Sequence, residues 1–221
     1  MSYQIAIDGP AGAGKSTIAK MVSKQLNFVY VDTGAMYRAL GYYCMKENIP
    51  ADNEEEVVKL CMGADVSIRY IDGEQVVVLN GENVNGVIRT PEVGNMASAV
   101  SVYKDVRAKM VDIQQKLAVT ENVVMDGRDI ASVVLPNANL KIYLDAAVEV
   151  RAKRRFDELS AKGECPSYET ILEEVKDRDY RDMHRDNSPL VRVPEAVLVD
   201  SSYMTIEEVA AAICAEFDKV K

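Results

Sequence analysis

Histidine and cysteine are scarce in this sequence, and the few that are present are scattered. His184 is the only histidine among the 221 residues, and the four cysteines, Cys44, Cys61, Cys165 and Cys214, form neither a CxxC motif nor a Cys/His cluster. This scarcity argues against a disulfide framework and a structural zinc site, and it leaves no Ser-His-Asp or Cys-His constellation for nucleophilic catalysis. We therefore expect buried, reduced thiols.

Long apolar runs and excess positive charge are also missing. No stretch approaches the roughly 20 apolar residues of a membrane span, and the first residues lack the basic-then-apolar pattern of a signal peptide. With 35 acidic and 26 basic side chains the net charge is −9, which disfavours general binding to nucleic acid. We expect a cytoplasmic protein that binds neither membrane nor nucleic acid and holds anionic ligands with local arginine clusters.

The segment IDGPAGAGKSTIAK, residues 7–20, has the spacing of a phosphate-binding loop, G-x-x-x-x-G-K-[ST]. An apolar run precedes it and residues at helical spacing follow it, which is the context that the motif requires. Glycine lets backbone N–H groups turn toward phosphate, Lys15 supplies charge for the β- and γ-phosphates, and Ser16 supplies a hydroxyl for Mg²⁺. The predicted ATP-binding loop comprises Gly9, Pro10, Ala11, Gly12, Ala13, Gly14, Lys15, Ser16 and Thr17.

Short apolar runs that end in a carboxylate alternate with helical patterns along the chain. The predicted strands are residues 4–8, 28–32, 123–126, 140–145 and 196–200. The predicted helices are about 15–26, 35–46, 104–118, 147–159, 168–185 and 205–220. Runs that are apolar throughout suit strands covered on both faces, so the alternation predicts a doubly wound α/β fold with a parallel sheet.

Residues 65–88 interrupt this alternation with a period-two pattern. The segment contains Asp72-Gly73 and Asn80-Gly81, two pairs that favour tight hairpin turns. We predict a small antiparallel sheet inserted into the parallel core.

Three of the predicted strands end in aspartates that lie on the same side of the sheet as the phosphate loop in this interpretation. Ligands of open α/β sheets bind beyond the carboxyl ends of the strands, which favours Asp8, Asp32 and Asp126 as residues near the phosphates. For Asp8 and Asp126 the pattern leaves two roles open, capping of the next segment or participation in a metal shell.

Arginines are frequent in the predicted loops and helix starts of this acidic chain. For Arg151 alone, a solvated helix face is the favoured interpretation. The cluster in DRDYRDMHRD differs, because Arg178, Asp182 and Arg185 fall on one helical face, where the carboxylate can hold two guanidinium groups in place. Such groups match phosphate oxygens and stabilise charge on a transferring phosphoryl group. We therefore predict a catalytic arginine cluster.

The shortage of bases bears on the phosphoryl acceptor. An alcohol needs a positioned group to accept its proton, whereas a phosphate monoester has a second pKa near 6 and is already an anionic nucleophile at neutral pH. We expect His184 to lie on the helix surface. A chain rich in arginine and poor in bases thus favours a phosphate acceptor.

Six segments together resemble the bacterial cytidylate kinases, in the order of that family and over essentially the whole chain. They are IDGPAGAGKST, YVDTGAMYRAL, GENVNGVIRTPEVGNMASAVS, VVMDGRDIASVV, KIYLDA and RDYRDMHRDNSPL. The resemblance implies one nucleoside monophosphate kinase domain over residues 1–221 with a five-stranded parallel P-loop core. That core would comprise residues 1–62, 89–150 and 168–221, with an acceptor-binding insert at about 63–88 and a lid at about 151–167. Thr33 stands where the family often carries serine, and both offer a hydroxyl.

The resemblance also implies roles for individual residues. Arg38, Arg128 and Arg185 would bind the acceptor phosphate, Ser98, Arg107 and Asp129 would face the cytosine, and Thr33, Tyr37, Arg178 and Asp182 would complete the CMP site. Ser16 and Asp32 would serve Mg²⁺, and Arg154 would contact ATP. The catalytic set would be Lys15, Arg128, Arg181 and Arg185.

The leading hypothesis is transfer of the γ-phosphoryl group of MgATP to CMP or dCMP by a monomeric enzyme. One alternative is a kinase for another small acceptor, such as UMP, AMP or shikimate. A second is a regulatory nucleotide switch, which needs a residue that positions water and a loop that reports the γ-phosphate. We find no motif for reading guanine, and a switch would leave the second arginine cluster without a purpose.

Overall fold

The structure is a computed structural model that describes residues 2–71, 74–161, 163 and 167–221. The chain divides into two compact units, of which the first comprises residues 1–30 and 121–221 and the second residues 31–120. Within the described ranges, no helix has the length and apolar character needed to cross a membrane. The predicted division into core, insert and lid stays a prediction, and residues 162 and 164–166 of the expected lid lie outside the described residues.

The strands form two sheets. They are β1 (Gln4–Asp8), β2 (Val29–Asp32), β3 (Val66–Ile71), β4 (Glu74–Leu79), β5 (Glu82–Asn83), β6 (Val123–Gly127), β7 (Leu140–Asp145) and β8 (Val197–Asp200). The larger sheet has the order β2-β6-β1-β7-β8, in which β1 pairs parallel to β6 and β7, and β7 parallel to β8. Central strand β1 is buried over most of its length, as expected of a strand covered on both faces. The predicted parallel α/β fold is confirmed.

The helices include every one predicted, with ends that differ by a few residues. They are α1 (Lys15–Leu26), α2 (Thr33–Lys46), α3 (Glu54–Gly63), α4 (Pro91–Val100), α5 (Lys104–Thr120), α6 (Val148–Ala161), α7 (Tyr168–His184) and α8 (Ile206–Asp218). A π-helical turn spans Ile130–Val134. Helix α2 begins two residues before the predicted start because Asp32 caps it, accepting a hydrogen bond from the backbone N–H of Ala35.

Helices α3 and α4 were not expected from the apolar spacing, although both have standard start signals. The Asn53 side chain caps α3, and three glutamates follow in its first turn. Their negative charges are stabilised there by the positive end of the helix dipole. The Thr90 side chain caps α4, and Pro91 occupies the first position, where its missing N–H costs nothing. Capping residues, rather than periodicity, were the signal that would have identified these two helices.

The predicted antiparallel insert is present as β3, β4 and β5. Asn80 and Gly81 join β4 to β5 with φ values of 49° and 86°, the positive angles that this turn type requires. The other predicted turn, Asp72-Gly73, lies outside the described residues. Most of β4 is buried, which explains why its sequence is a run of valines rather than an alternation.

Each unit has its own apolar core. In the first unit Ile5, Ile7 and Ile142 of the large sheet pack with apolar residues of α1 and α8. In the second unit the fully buried Met36 and Leu40 of α2 belong to a cluster that includes residues of α3, α5, β3 and β4. Burial of such side chains stabilises each unit by roughly 1.5–3 kcal/mol per large residue.

The thiols are mostly as expected. Cys44 and Cys61 are free and buried, with their sulfur atoms 3.9 Å apart. Cys214 of α8 is also free but is only partly buried, and its thiol donates to the side-chain oxygen of Gln25. The prediction of a buried thiol is therefore wrong for Cys214. Cys165 lies outside the described residues.

Candidate active site

The phosphate loop joins β1 to α1 in the first unit. A Cβ atom added at Gly9 would lie 1.9 Å from the carbonyl oxygen of Leu144 on β7, so only glycine allows the loop to pass this strand. Gly14 has a φ of 88° and forms the N-cap of α1. The loop therefore turns sharply and leads directly into a helix N-terminus, which is the backbone geometry that favours a bound phosphate.

Lys15 begins α1 and is almost buried, with a relative exposure of 6%. Its Nζ donates to the carbonyl oxygen of Pro10 at 2.7 Å. Burial, followed by the nearby charge of Arg128, lowers the pKa of Lys15 to about 7, although Asp126 and Asp182 act in the opposite direction. The ammonium group is thus held in the loop with little solvation, and an anionic ligand would stabilise its charged form.

Asp126 of β6 lies directly beside the phosphate loop. Its Oδ2 accepts a hydrogen bond from the Ser16 hydroxyl at 3.0 Å, and its Oδ1 accepts one from the Tyr30 hydroxyl at 2.9 Å. Of the two roles that the sequence left open for Asp126, this position favours the metal shell, because a serine hydroxyl and a carboxylate are oxygen ligands of the kind that Mg²⁺ takes beside phosphates.

Asp8 has a capping role. Its carboxylate accepts hydrogen bonds from the backbone N–H groups of Ile130 and Ala131 at 2.9 and 2.7 Å. It therefore caps the π-helical turn that follows Asp129. Burial raises the pKa of Asp8 to about 6, against the lowering effect of these two hydrogen bonds.

The arginine cluster is centred on Asp182 of α7. Arg128, which follows β6, donates through Nε to Asp182 at 2.8 Å. Burial acts to raise the pKa of Asp182, but Arg128, Arg178 and Arg185 outweigh burial and hold the pKa below its usual value. Arg185 also donates through Nε to the carbonyl oxygen of Ser188 at 2.7 Å. Arg128 therefore joins the positive charges near Asp182, together with Arg178 and Arg185. Arg185 follows the end of α7 with an extended backbone (φ −68°, ψ 144°), so the prediction that it shares a helical face with Arg178 and Asp182 is wrong.

Two other predicted arginines of this unit have different surroundings. Arg181 is exposed on α7, and its Nε donates to the carbonyl oxygen of Asp177 at 3.4 Å. Arg154 of α6 donates to the carbonyl oxygen of Ser201 at 2.7 Å, and the Ser201 hydroxyl donates to the carbonyl oxygen of Ala13 at 3.3 Å. Arg154 thus contacts a segment that touches the phosphate loop. His184 is exposed and stacks on Tyr180.

In the second unit, Arg38 of α2 reaches the start of α4. Its guanidinium donates to the carbonyl oxygens of Ile88 and Thr90 at 3.3 and 3.2 Å. A Cβ atom added at Gly94 would lie 2.8 Å from one guanidinium nitrogen of Arg38. The absence of a side chain at Gly94 therefore makes room for Arg38.

The other predicted residues of the second unit lie on α2, on α4 and at the start of α5. Arg107 is buried, lies over the ring of Tyr37 at 5.5 Å, and donates to the carbonyl oxygen of Ser101 at 3.1 Å. Thr33 is buried in the first turn of α2, and Ser98 of α4 is partly buried. Contact with the Tyr37 ring orients the guanidinium of Arg107 by a cation–π interaction.

Asp32, which we predicted to serve Mg²⁺, has other partners in this unit. Besides capping α2, its carboxylate pairs with Arg89 at 2.7 Å. Sequence reasoning did not single out Arg89, and no local pattern connects two residues so far apart in the chain. Among the described residues, no group of three or more histidine, cysteine, aspartate or glutamate side chains could hold a metal ion.

Together the parallel sheet, the phosphate loop and the buried lysine define a P-loop kinase fold. Structural comparison agrees: the chain superposes on a gluconokinase from Sinorhizobium meliloti with a TM-score of 0.51 and 14% identity, covering 98% of this chain and 92% of that one. An uncharacterized protein from Eubacterium ventriosum gives a TM-score of 0.54 at 14% identity, with 99% of each chain covered. At this level of identity the likeness concerns the fold.

Sequence comparison identifies the family. The family model for cytidylate kinase matches residues 5–219. The chain is 49% identical to a cytidylate kinase from Caldicellulosiruptor bescii over 216 residues, covering 98% of this chain and 96% of the relative. It is 50% identical to one from Enterococcus faecalis over 209 residues, covering 95% and 92%. The chain belongs to the cytidylate kinase family, which confirms the resemblance found in the motifs.

Proposed function

We propose that this enzyme transfers the γ-phosphoryl group of ATP to CMP or dCMP and releases ADP and the nucleoside diphosphate. Membership of the cytidylate kinase family supports this reaction. The structural observation that carries it is the pair of cationic features in the first unit, the buried Lys15 of the phosphate loop and the Arg128–Asp182 cluster. The buried lysine of the loop suits a nucleoside triphosphate, and the arginine cluster suits the phosphate group of a second substrate.

The donor is bound in this proposal by the loop of residues 9–17. Its backbone N–H groups and the N-terminus of α1 donate toward the phosphates, while Lys15 places its charge beside the β- and γ-phosphates. Ser16 and Asp126 would hold Mg²⁺, which would neutralise charge on the phosphate oxygens. A role for Asp32 in the metal shell stays a prediction.

The acceptor needs orientation rather than deprotonation. The CMP phosphate is an anionic nucleophile at neutral pH, since its second pKa is near 6. We propose that Arg38, Arg128 and Arg185 bind this phosphate, because planar guanidinium groups pair with its oxygens bidentately. Tyr37, Arg178 and Asp182 are proposed to lie near the sugar, and Ser98, Arg107 and Asp129 near the cytosine. Exclusion of water from the site would prevent loss of the phosphoryl group to hydrolysis.

A coupled assay of ADP release with CMP, dCMP, UMP, AMP and GMP tests the reaction. Turnover should be fastest with CMP or dCMP, and a faster reaction with any other acceptor would overturn the proposal. Saturation binding distinguishes the nucleotide switch, because a kinase binds a donor and an acceptor together whereas a switch binds one nucleotide. A monomeric state and a cytoplasmic location stay predictions, of which the first can be checked by light scattering.

Asp129→Ala tests how the base is recognised. Cytosine presents an amino donor at N4, which a carboxylate can accept, whereas uracil presents a carbonyl oxygen there. We expect kcat/KM for CMP to fall by about tenfold to a hundredfold and kcat/KM for UMP to fall much less. Measuring both acceptors with parent and variant gives the ratio. If Asp129 serves only to position Arg128, kcat/KM will fall equally for CMP and UMP, and the ratio of the two values will not change.

Gly94→Ala tests the role of Arg38 without replacing Arg38. The added methyl group would displace the end of a flexible side chain, so we expect little loss of thermal stability and a rise of about tenfold in KM for CMP, the value of one charged hydrogen bond. Gly63→Ala is the matched control in the same unit, because its added Cβ meets nothing within 4 Å. Equal KM values in the two variants would contradict a role of Arg38 in acceptor binding.

A further inference from the structure

Arg151, which sequence reasoning placed on a solvated helix face, is buried in the first unit. Its three guanidinium nitrogens donate in three directions. Nε donates to the carbonyl oxygen of Ala146 at 2.8 Å, one terminal nitrogen donates to that of Ala11 at 3.1 Å, and the other pairs with Asp179 at 2.7 Å. One side chain thus connects the start of α6, the phosphate loop and α7.

The loop also packs closely on this residue. A Cβ atom added at Gly12 would lie 3.1 Å from the Cβ atom of Arg151. Because Ala11 and Gly12 are both within the loop of residues 9–17, a displacement of Arg151 would move the backbone that is expected to surround the donor phosphates. The predicted position on a solvated helix face is therefore wrong for Arg151.

Asp179 connects Arg151 to the arginine cluster. It lies on α7 next to Arg178 and three residues before Asp182, and residues at that spacing share a helical face. Its charge also contributes to raising the pKa of Arg128. Asp179 Oδ2 pairs with Arg151, while its buried Oδ1 has no hydrogen-bond partner among the described residues.

Apolar contacts also join α6 to α7. Ala152 and Leu159 of α6 already pack with Ile171 and Val175 of α7 in an apolar cluster. A buried ion pair is weak evidence for stability, because desolvation of two charges can exceed their attraction. What the pair adds to the apolar packing is the directional connection from α7 to the carbonyl oxygen of Ala11.

We propose that Arg151 and Asp179 are positioning residues that fix the phosphate loop relative to the arginines of α7. This inference rests on the proposed kinase reaction, in which Lys15 and the Arg128–Asp182 cluster must be aligned when the phosphoryl group is transferred. A misplacement of about 1 Å far from the reacting atoms can cost about a hundredfold in rate. Loss of the pair should therefore lower kcat more than it raises KM for ATP.

Asp179→Asn is the variant that tests this connection, because it removes the charge and keeps the shape. We expect kcat with CMP to fall by about tenfold to a hundredfold while KM for ATP changes by less than about threefold. With MgATP bound, amide hydrogen exchange in residues 9–17 should become faster than in the parent. Lys176→Gln is the matched control, since Lys176 pairs with Glu173 on the exposed side of the same helix, and it should alter neither quantity.

Arg151→Lys keeps the test informative if the asparagine variant does not fold. Lysine retains the charge beside Asp179 but cannot donate in three fixed directions, so kcat should fall and exchange in the loop should rise here as well. Unchanged kcat, or unchanged exchange in the loop, in folded variants would overturn the proposal. If the parent does not phosphorylate CMP, the proposed function fails, while the exchange measurements still decide whether the pair connects the loop to α7.

Discussion

Lys15→Ala is expected to lower kcat by about a hundredfold to a thousandfold, the usual loss when one preorganised donor is removed from a transferring group. Lys15 is buried in the loop, and its ammonium has the Pro10 carbonyl as a hydrogen-bond acceptor. That position places its charge where a triphosphate would bind. Steady-state turnover with CMP and the Tm of parent and variant measure the effect.

Stability should not fall with activity, because burial disfavours the charged form of this side chain. The folded-state pKa of about 7 lies below the ordinary 10.5, so the unfolded chain binds more protons between these values. The contribution of Lys15 to stability therefore rises with pH through this interval, and its unfavourable effect is complete below pH 7. The free energy of unfolding of Lys15→Ala minus that of the parent should consequently be larger at pH 6 than at pH 9. Denaturant unfolding of both proteins at the two pH values measures this difference.

Lys20→Gln is the control for these measurements, since Lys20 is an exposed residue of the same helix. The control should keep parental turnover. Turnover of Lys15→Ala within a few-fold of the parent would remove Lys15 from catalysis.

Arg128→Lys is expected to lower kcat/KM for CMP by about a hundredfold and to leave ATP binding within a few-fold of the parent. Lysine keeps the positive charge but lacks the planar guanidinium group. It therefore cannot pair with Asp182, as the Arg128 Nε does, and at the same time donate further N–H groups to a phosphate. The affected interactions include charged hydrogen bonds, each worth about 1.5–3 kcal/mol. Initial rates with CMP varied, together with calorimetric binding of ATP, separate the two substrates.

Arg192→Lys controls for the general effect of exchanging arginine for lysine in the first unit. Arg192 donates through Nε to the carbonyl oxygen of Ala196 at 3.2 Å and is exposed, so its replacement should leave both substrates unaffected. If Arg128→Lys weakens ATP binding as much as it lowers catalysis with CMP, Arg128 serves the donor and its assignment to the acceptor is wrong.

Asp126 and Asp8 illustrate why strand ends were predictable and their chemistry was not. Both close apolar strands, and the sequence pattern left capping and metal binding open for each. In the folded unit Asp126 accepts the Ser16 hydroxyl, whereas Asp8 accepts two backbone N–H groups of the π-helical turn. These hydrogen bonds join residues more than 100 positions apart in the chain, which no local window contains.

The amino-acid sequence by itself determined the phosphate loop, the alternation of strands and helices, the antiparallel insert and the shared position of Arg178 and Asp182 on α7. Each depends on residues within a few positions of one another, where backbone preference and side-chain periodicity act directly. Only the tertiary structure decided that Arg128 joins Asp182, that Arg89 pairs with Asp32, and that Arg151 is buried between the loop and α7. An arginine on a helix surface and one in an ion pair under a loop have the same local sequence signal, because their difference is the desolvation imposed by residues distant in the chain.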